Sequence, residues 1–270
     1  MLSASKIEQI KQILSQRPHS VAEIANSLGV SWKTADKYLD ELCKTDGAIS
    51  THVFKNGLRG GLKIAFLNAS AKDSGKLMKF LRRRIMNARE KTDFSPFEIY
   101  QYVDEKMKKA FWEAEETAFL EHGSEDINNL LLITRERYLS FSGDFSWIQH
   151  RQGGKHVLKT IQMLAEKGIR IQMLGRIDMK SIKGVEQLFS INERLGMDAI
   201  DIRHIEQPLR GAIVDDQQVR LVEALKSLEK TIYYEIRDPV WIKFVKDIFF
   251  EFYAVSVPAM KRAEELRKLF

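Results

Sequence analysis

The run "SVAEIANSLGVSWKTADKYLDEL", from Ser20 to Leu42, constrains the N-terminal fold tightly because it contains two helix starts and one forced turn. Ser20 and Glu23 have the spacing of a capping box, in which hydroxyl and carboxylate each satisfy a free backbone N–H. Ile24 and Leu28 then supply an inward face. Gly29 permits the left-handed backbone of a tight turn, and Ser31 is placed to cap a second helix. Two short helices crossing at such a turn form a helix-turn-helix. Upstream, "SKIEQIKQILSQRP" sets Ile7, Ile10, Ile13 and Leu14 at helical spacing, and Pro18 ends the run. Downstream, "AISTHVFKNGLRGGLKIAFLN" reads as a hairpin, with Ile49 to Phe54 going out and Leu62 to Leu67 returning. Residues 1–70 are therefore read as a winged helix-turn-helix domain.

In the third helix Ala35, Leu39 and Leu42 face the core, which leaves Ser31, Trp32, Lys33, Thr34, Lys37 and Tyr38 on the part that enters a major groove in such domains. Trp32 also fits a core position by residue type. Lys55, Asn56, Arg59 and Lys63 lie on or beside the hairpin tip, where phosphate contact needs no special backbone geometry. Helix-turn-helix cores also serve as protein-interaction modules, so charge becomes the next discriminator.

The net charge of +6 is unevenly spread. Residues 1–70 hold nine Lys and Arg against six Asp and Glu, residues 71–91 hold eight against two, and residues 92–270 carry a net −3. A basic front with an acidic body suits a polyanion at the N-terminal end. The basic excess peaks in "KLMKFLRRRIMNAREK", where Leu77, Phe80, Leu81 and Ile85 form one stripe among basic residues including Arg82, Arg83 and Arg84. This helix is read as a linker that adds phosphate contacts or as a solvated cover over a domain junction. Next, Ser95, Pro96 and Glu98 specify another helix start, and Tyr100, Val103, Met107, Phe111 and Ala114 continue one apolar face, read as a packing or dimerisation stripe. Residues 71–124 are accordingly expected to form a basic and amphipathic helical linker.

From Asn128 the pattern alternates. "NLLLIT", "RYLSFSG", "IRIQMLG", "DAIDIRHI" and "TIYYEIR" read as strands, and "GGKHVLKTIQMLAEKG", "KGVEQLFSINERLGM" and the aromatic run from Val240 as helices. Residues 125–270 are expected to form an α/β domain with a mixed sheet, making the chain α+β as a whole. Trp241, Phe244, Phe249, Phe250 and Phe252 are read as core or dimer contact. The N-terminus shows no signal-peptide pattern, and "IFFEFYAVSV" is short and contains Glu251. With one cysteine, Cys43, and no zinc spacing, the expectation is a cytoplasmic, nucleoid-associated protein with no metal and no cofactor.

One hairpin speaks to chemistry. The segment "PLRGAIVDD" resembles the catalytic hairpin of the phospholipase D superfamily, His-x-Lys followed by four residues and Asp. Matched on Asp215, the Lys position is Arg210 and the His position is Pro208, so the nucleophile is absent. None of the six histidines has Lys two positions on. No catalytic residue is assigned, and a phosphodiesterase would need some nucleophile other than histidine. Arg210 with Asp215, joined by His204 and Glu206, is retained as a candidate anion or ligand site, against an ordinary Arg–Asp pair at a turn.

An N-terminal winged helix, a helical linker and a degenerate phospholipase-D-like domain together resemble the TrmB-type transcription regulators of archaea. The resemblance implies a homodimer that binds double-stranded DNA as a transcription regulator, with effector sensing by the C-terminal domain in some members. The alternative is a sequence-tolerant protein that coats or bridges DNA. No membrane partner is expected.

Overall fold

The computed structural model describes residues 2–45, 49–55, 61–67, 74–114, 127–152, 155–225 and 230–268. Its N-terminal part comprises α1 (Ala4–Gln16), β1 (His19–Ser20), α2 (Val21–Leu28), α3 (Trp32–Thr45), β2 (Ile49–Lys55) and β3 (Gly61–Leu67). The capping box forms as the spacing requires: the Glu23 N–H donates to Ser20 Oγ at 3.1 Å, and the Ser20 N–H to Glu23 Oε2 at 2.8 Å. Gly29 closes α2 at φ 64°, which sets the crossing of α3. Ile10, Leu14, Ile24, Ala35, Leu39, Leu42, Ile49 and Ala65 bury together, and β1, β3 and β2 make a three-stranded sheet. This is the winged helix the sequence predicts.

The body is built on an eight-stranded sheet of order β13-β9-β8-β5-β10-β11-β12-β4. Its strands are β4 (Lys108–Ala114), β5 (Arg137–Phe141), β8 (Arg170–Gly175), β9 (Ile200–His204), β10 (Gly211–Val214), β11 (Gln218–Leu225), β12 (Lys230–Ile236) and β13 (Val257–Pro258). β5, β8 and β9 are parallel and the remaining pairings antiparallel, so the sheet is mixed as expected. A small ribbon, β6 (Arg151–Gln152) with β7 (Lys155–His156), stands apart from it.

Alternate residues of the sheet serve two cores. Tyr138, Ile171, Met173, Ile202, Ala212 and Val214 pack under α6 (Ile127–Leu132), α7 (Val157–Glu166), α8 (Ile182–Leu195) and α10 (Ala259–Arg267). Leu139, Phe141, Ile213, Leu221, Ile232 and Tyr234 face the other way, toward α4 (Ser74–Asn87), the one-turn helix α5 (Phe97–Tyr100) and α9 (Pro239–Val255). The second core also takes in Phe54, Leu62 and Ile64 from the wing strands. Phe54 lies edge-on to Phe97 and to Tyr234, with ring centroids 5.9 and 6.1 Å away. One face of the wing is thus part of the body's core, and the winged helix is seated on the sheet domain rather than tethered to it.

Three expectations are corrected. "NLLLIT" carries helix α6 rather than a strand, because a short apolar run has no period that separates the two. The helix expected to continue from Ser95 through Ala114 stops after one turn: Asp104 caps a 3-10 turn, and Lys108–Ala114 becomes edge strand β4, paired with β12. The stripe read as a packing or dimerisation face is therefore not one helix face; Tyr100 and Val103 pack in the body's core, and Phe111 stacks on Tyr233 with centroids 5.0 Å apart. On α4, Leu81 and Ile85 are buried but Phe80 is 55% exposed, so the stripe is narrower than its spacing suggests. The aromatic run on α9 is core: Trp241, Phe244, Phe249 and Phe252 are buried and Phe250 packs against them. No described helix is long and apolar enough to cross a membrane.

Candidate nucleic-acid interface and junction cavity

At the N-terminal end of α3, Ser31, Trp32, Lys33 and Lys37 are exposed, while Thr34 and Tyr38 are half-buried. Trp32 is 51% exposed, which removes the core reading. The Ser31 hydroxyl accepts from the Thr34 N–H at 3.2 Å and lies 2.8 Å from the Thr34 hydroxyl, so both residues are engaged in capping. Tyr38 lies against the winged-helix core. Trp32, Lys33 and Lys37 remain as an aromatic and two cations turned to solvent, with no internal partner among the described residues.

The basic residues predicted beside them differ from one another. Lys63 donates to Asp36 at 2.7 Å and to Asp40 at 2.6 Å, pinning β3 to α3. Although burial opposes its charge, these two carboxylates hold its ammonium above the usual lysine range. Asn56, Arg59 and the side chain of Lys55 lie outside the described residues. Arg82 pairs with Glu251 of α9 at 2.5 Å. Arg84 reaches Glu98 at 2.8 Å and the Gln16 carbonyl at 3.1 Å, clamping α4 to both the body and the end of α1. Arg83 is exposed with no partner among the described residues. Of three consecutive arginines, two brace the junction and one is uncommitted. Cys43 is half-buried and unpaired by any disulfide, and burial pushes its thiol up.

The residues of the degenerate hairpin separate. Asp215 accepts the N–H groups of Arg135, Glu136 and Arg137 at 2.8–2.9 Å, and Asp216 pairs with Arg137 and Lys246. Both aspartates have positive φ, 51° and 56°, as the turn of a tight hairpin requires. Neither contacts Arg210, so the Arg–Asp pair does not form. His204 sits on β9, where its Nδ1 accepts the Ile177 N–H at 2.9 Å; burial lowers its pKa. Glu206 is exposed.

Arg210 instead lines a cavity of about 700 Å³ that opens beside the C-terminal end of β5 and reaches the winged helix. Pro208, Ser140, Ser142, Asp144, Trp147 and His150 line it from the sheet domain, and Arg17 and Glu23 from the N-terminal domain. Open α/β sheets commonly hold ligands outside the carboxyl ends of their strands, and the volume is in the range of small-molecule sites. Sequence reasoning found Arg210 and missed the cavity, whose walls come from segments distant along the chain. Arg210 Nη1 donates to the carbonyls of Gln207 at 3.0 Å and Leu209 at 2.7 Å. Gln207 is itself fixed by Nε2 to the Ser142 carbonyl at 3.0 Å, and Trp147 Nε1 donates to Ser142 Oγ at 3.2 Å. Burial lowers the Arg210 pKa, opposed by the nearby Asp144 charge. Among the described residues no group of three or more His, Cys, Asp or Glu could hold a metal ion.

No protein-family model matches the chain, and no curated protein matches it in sequence. Among solved structures it is similar to TrmBL2, an archaeal chromatin protein described as showing a novel mode of DNA binding, at 14% identity and a TM-score of 0.41 over 95% of this chain and 94% of that one. It is also similar to Nuc of Salmonella typhimurium, a phospholipase D family member, at 11% identity and a TM-score of 0.40 over 56% of this chain and 96% of that one. NucT from Helicobacter pylori aligns at 16% identity and a TM-score of 0.38 over 56% of this chain and 99% of that one.

Proposed function

We propose that the chain is a non-enzymatic DNA-binding protein of the regulator class, with α3 in the major groove and α4 beside the phosphates. The observation that carries the reading is that Trp32, Lys33 and Lys37 stand exposed on the N-terminal part of α3, the two lysines opposite buried Ala35, Leu39 and Leu42. A solvated helix face needs no exposed tryptophan beside two unpaired cations, whereas a groove-entering helix uses both. Arg83 adds one free cation on α4. Hydrolysis of phosphodiesters is not part of the proposal, since Pro208 occupies the nucleophile's place and has no group to attack phosphorus. His150 is the histidine nearest to testing that point, because it lines the same cavity as Arg210.

Fluorescence anisotropy with a labelled duplex decides the matter. The reading expects salt-sensitive binding that weakens in Lys33→Ala/Lys37→Ala, and no release of labelled fragments from duplex or single-stranded DNA. A genome-selected site bound about 10³-fold better than random duplex identifies a specific regulator, and near-equal binding a coating or bridging protein. Absence of binding at low salt would overturn the proposal, and cleavage lost in His150→Ala would replace it with an enzyme.

A further inference from the structure

The junction cavity contains an unfinished charge arrangement. Arg17 is matched by Glu23 at 2.8 Å, and Arg220 is matched by Glu235 deep in the sheet. Arg210 has no ion-pair partner among the described residues: two carbonyls take Nη1, and no acceptor meets Nη2. The carboxylate of Asp144 accepts from the Ser146 N–H at 3.1 Å and the Ser146 hydroxyl at 2.7 Å, and acts on Arg210 only through space. Nε lies over Gly143, where an added Cβ would come within 2.9 Å, so the guanidinium is held between the backbone and its two carbonyl acceptors. Thr231 adds a buried hydroxyl in the cavity wall with no hydrogen-bond partner among the described residues. The rest of the wall combines Glu90, Lys91, His150 and Glu223 with an aromatic and aliphatic part that includes Phe94, Phe141, Trp147 and Tyr233.

We propose that this cavity binds a small organic anion, a carboxylate or phosphate monoester on a ring-sized apolar body, whose acid group pairs with Arg210. A fixed, partly desolvated guanidinium with Nη2 uncommitted gains more from such a group than a solvated lysine would, because its charge is already held in place and meets the acid away from bulk water. The apolar walls supply the remaining contact. The cavity is also bordered by the winged helix. Glu23, the capping carboxylate of α2, and its partner Arg17 line the same cavity, so an occupant shares a chamber with the residue that starts the helix preceding α3. Resting on the DNA-binding reading above, the site then couples to DNA: whatever the ligand does to duplex affinity, duplex does equally to ligand affinity.

Isothermal titration of the full chain without DNA tests the site itself, using phenyl phosphate and benzoate as probes and benzyl alcohol as the neutral counterpart. The expected result is saturable binding of at least one anion, weakened about tenfold or more in Arg210→Gln and by less in Arg210→Lys, with benzyl alcohol binding no better to the wild type than to Arg210→Gln. Preference for phenyl phosphate or for benzoate names the acid group, and either supports the site. Ala224→Trp, a substitution at an exposed wall position that retains Arg210, should also block binding by filling the mouth. Retained folding of each variant is read from its thermal transition. No binding of either anion to the wild type, or equal binding to folded Arg210→Gln, overturns the proposal. Because this titration contains no DNA, its failure is separate from failure of duplex binding; anisotropy with and without phenyl phosphate then measures the coupling.

Discussion

Arg84 and Glu98 form an ion pair at 2.8 Å in which the carboxylate side chain is only 7% exposed. The same guanidinium holds the Gln16 carbonyl, so one residue of α4 joins the end of α1 to the turn before the sheet. Burial pushes Glu98 up to about 7, with Arg84 and the Ser95 N–H holding it partway down. A carboxyl group raised in the folded state favours folding most when protonated. Its contribution is complete below the ordinary carboxylate range near 4.5 and is lost as pH rises through about 7. Chemical denaturation between pH 5 and pH 8 should show a fall in stability on the order of 1–3 kcal/mol from this group, and Glu98→Gln should flatten it. An unchanged slope in that variant would assign the pH dependence elsewhere.

Arg83→Ala and Arg84→Ala should separate two roles that adjacent positions disguise. Arg84→Ala removes the cation from Glu98 and the donor from the Gln16 carbonyl and should lower stability by about 1–2 kcal/mol at neutral pH, less than for a stranded charge because Glu98 then takes up a proton. Arg83→Ala should leave the midpoint within about 0.5 kcal/mol of wild type. In salt titrations with DNA only the Arg83 variant should flatten the slope without loss of stability. Thermal melts and anisotropy on the same preparations distinguish them.

Lys63→Met tests a cation that the sequence assigns to phosphate and the structure assigns to Asp36 and Asp40. The substitution should destabilise the winged helix by about 1 kcal/mol, since the three groups are partly solvated. It should alter the salt dependence of DNA binding less than Lys33→Ala does. Equal changes in slope for the two variants would return Lys63 to the interface.

Asp215→Ala should be among the more damaging changes on the surface of the body. It removes the acceptor of three backbone N–H groups and places a Cβ residue with no local hydrogen bond at φ 51°. A loss of about 2 kcal/mol in urea denaturation is expected, with Asp215→Asn milder. Gly211 marks a second backbone constraint: at φ 139° its added Cβ would meet the Arg220 carbonyl at 2.0 Å, so β10 and β11 keep their register only with glycine there.

The winged helix was legible because its determinants are local. Ser20, Glu23, Gly29 and Ser31 each act within four residues, and all four act as their spacing requires. The strand after Met107 was not legible, since Phe111 and Ala114 continue a helical period while their actual partners, Tyr233 and Lys230, lie more than a hundred residues on. The hairpin at Asp215 was recognised for its outline, but the use of each carboxylate depended on β5 and α9, which sequence spacing does not place. For the same reason Arg210 was singled out with the wrong partners: its surroundings are assembled from both domains.

A helix α3 that grips DNA through Trp32, Lys33 and Lys37, as proposed, must owe part of its affinity to these two lysines. The most direct measurement is the slope of log affinity against log salt for wild type and Lys33→Ala/Lys37→Ala on one duplex. Each phosphate contact contributes about 0.9 to that slope on B-form DNA. The double variant should show a shallower slope, by up to about two contacts, with the thermal midpoint unchanged. Identical slopes in the two proteins, or no binding by wild type at low salt, would contradict it.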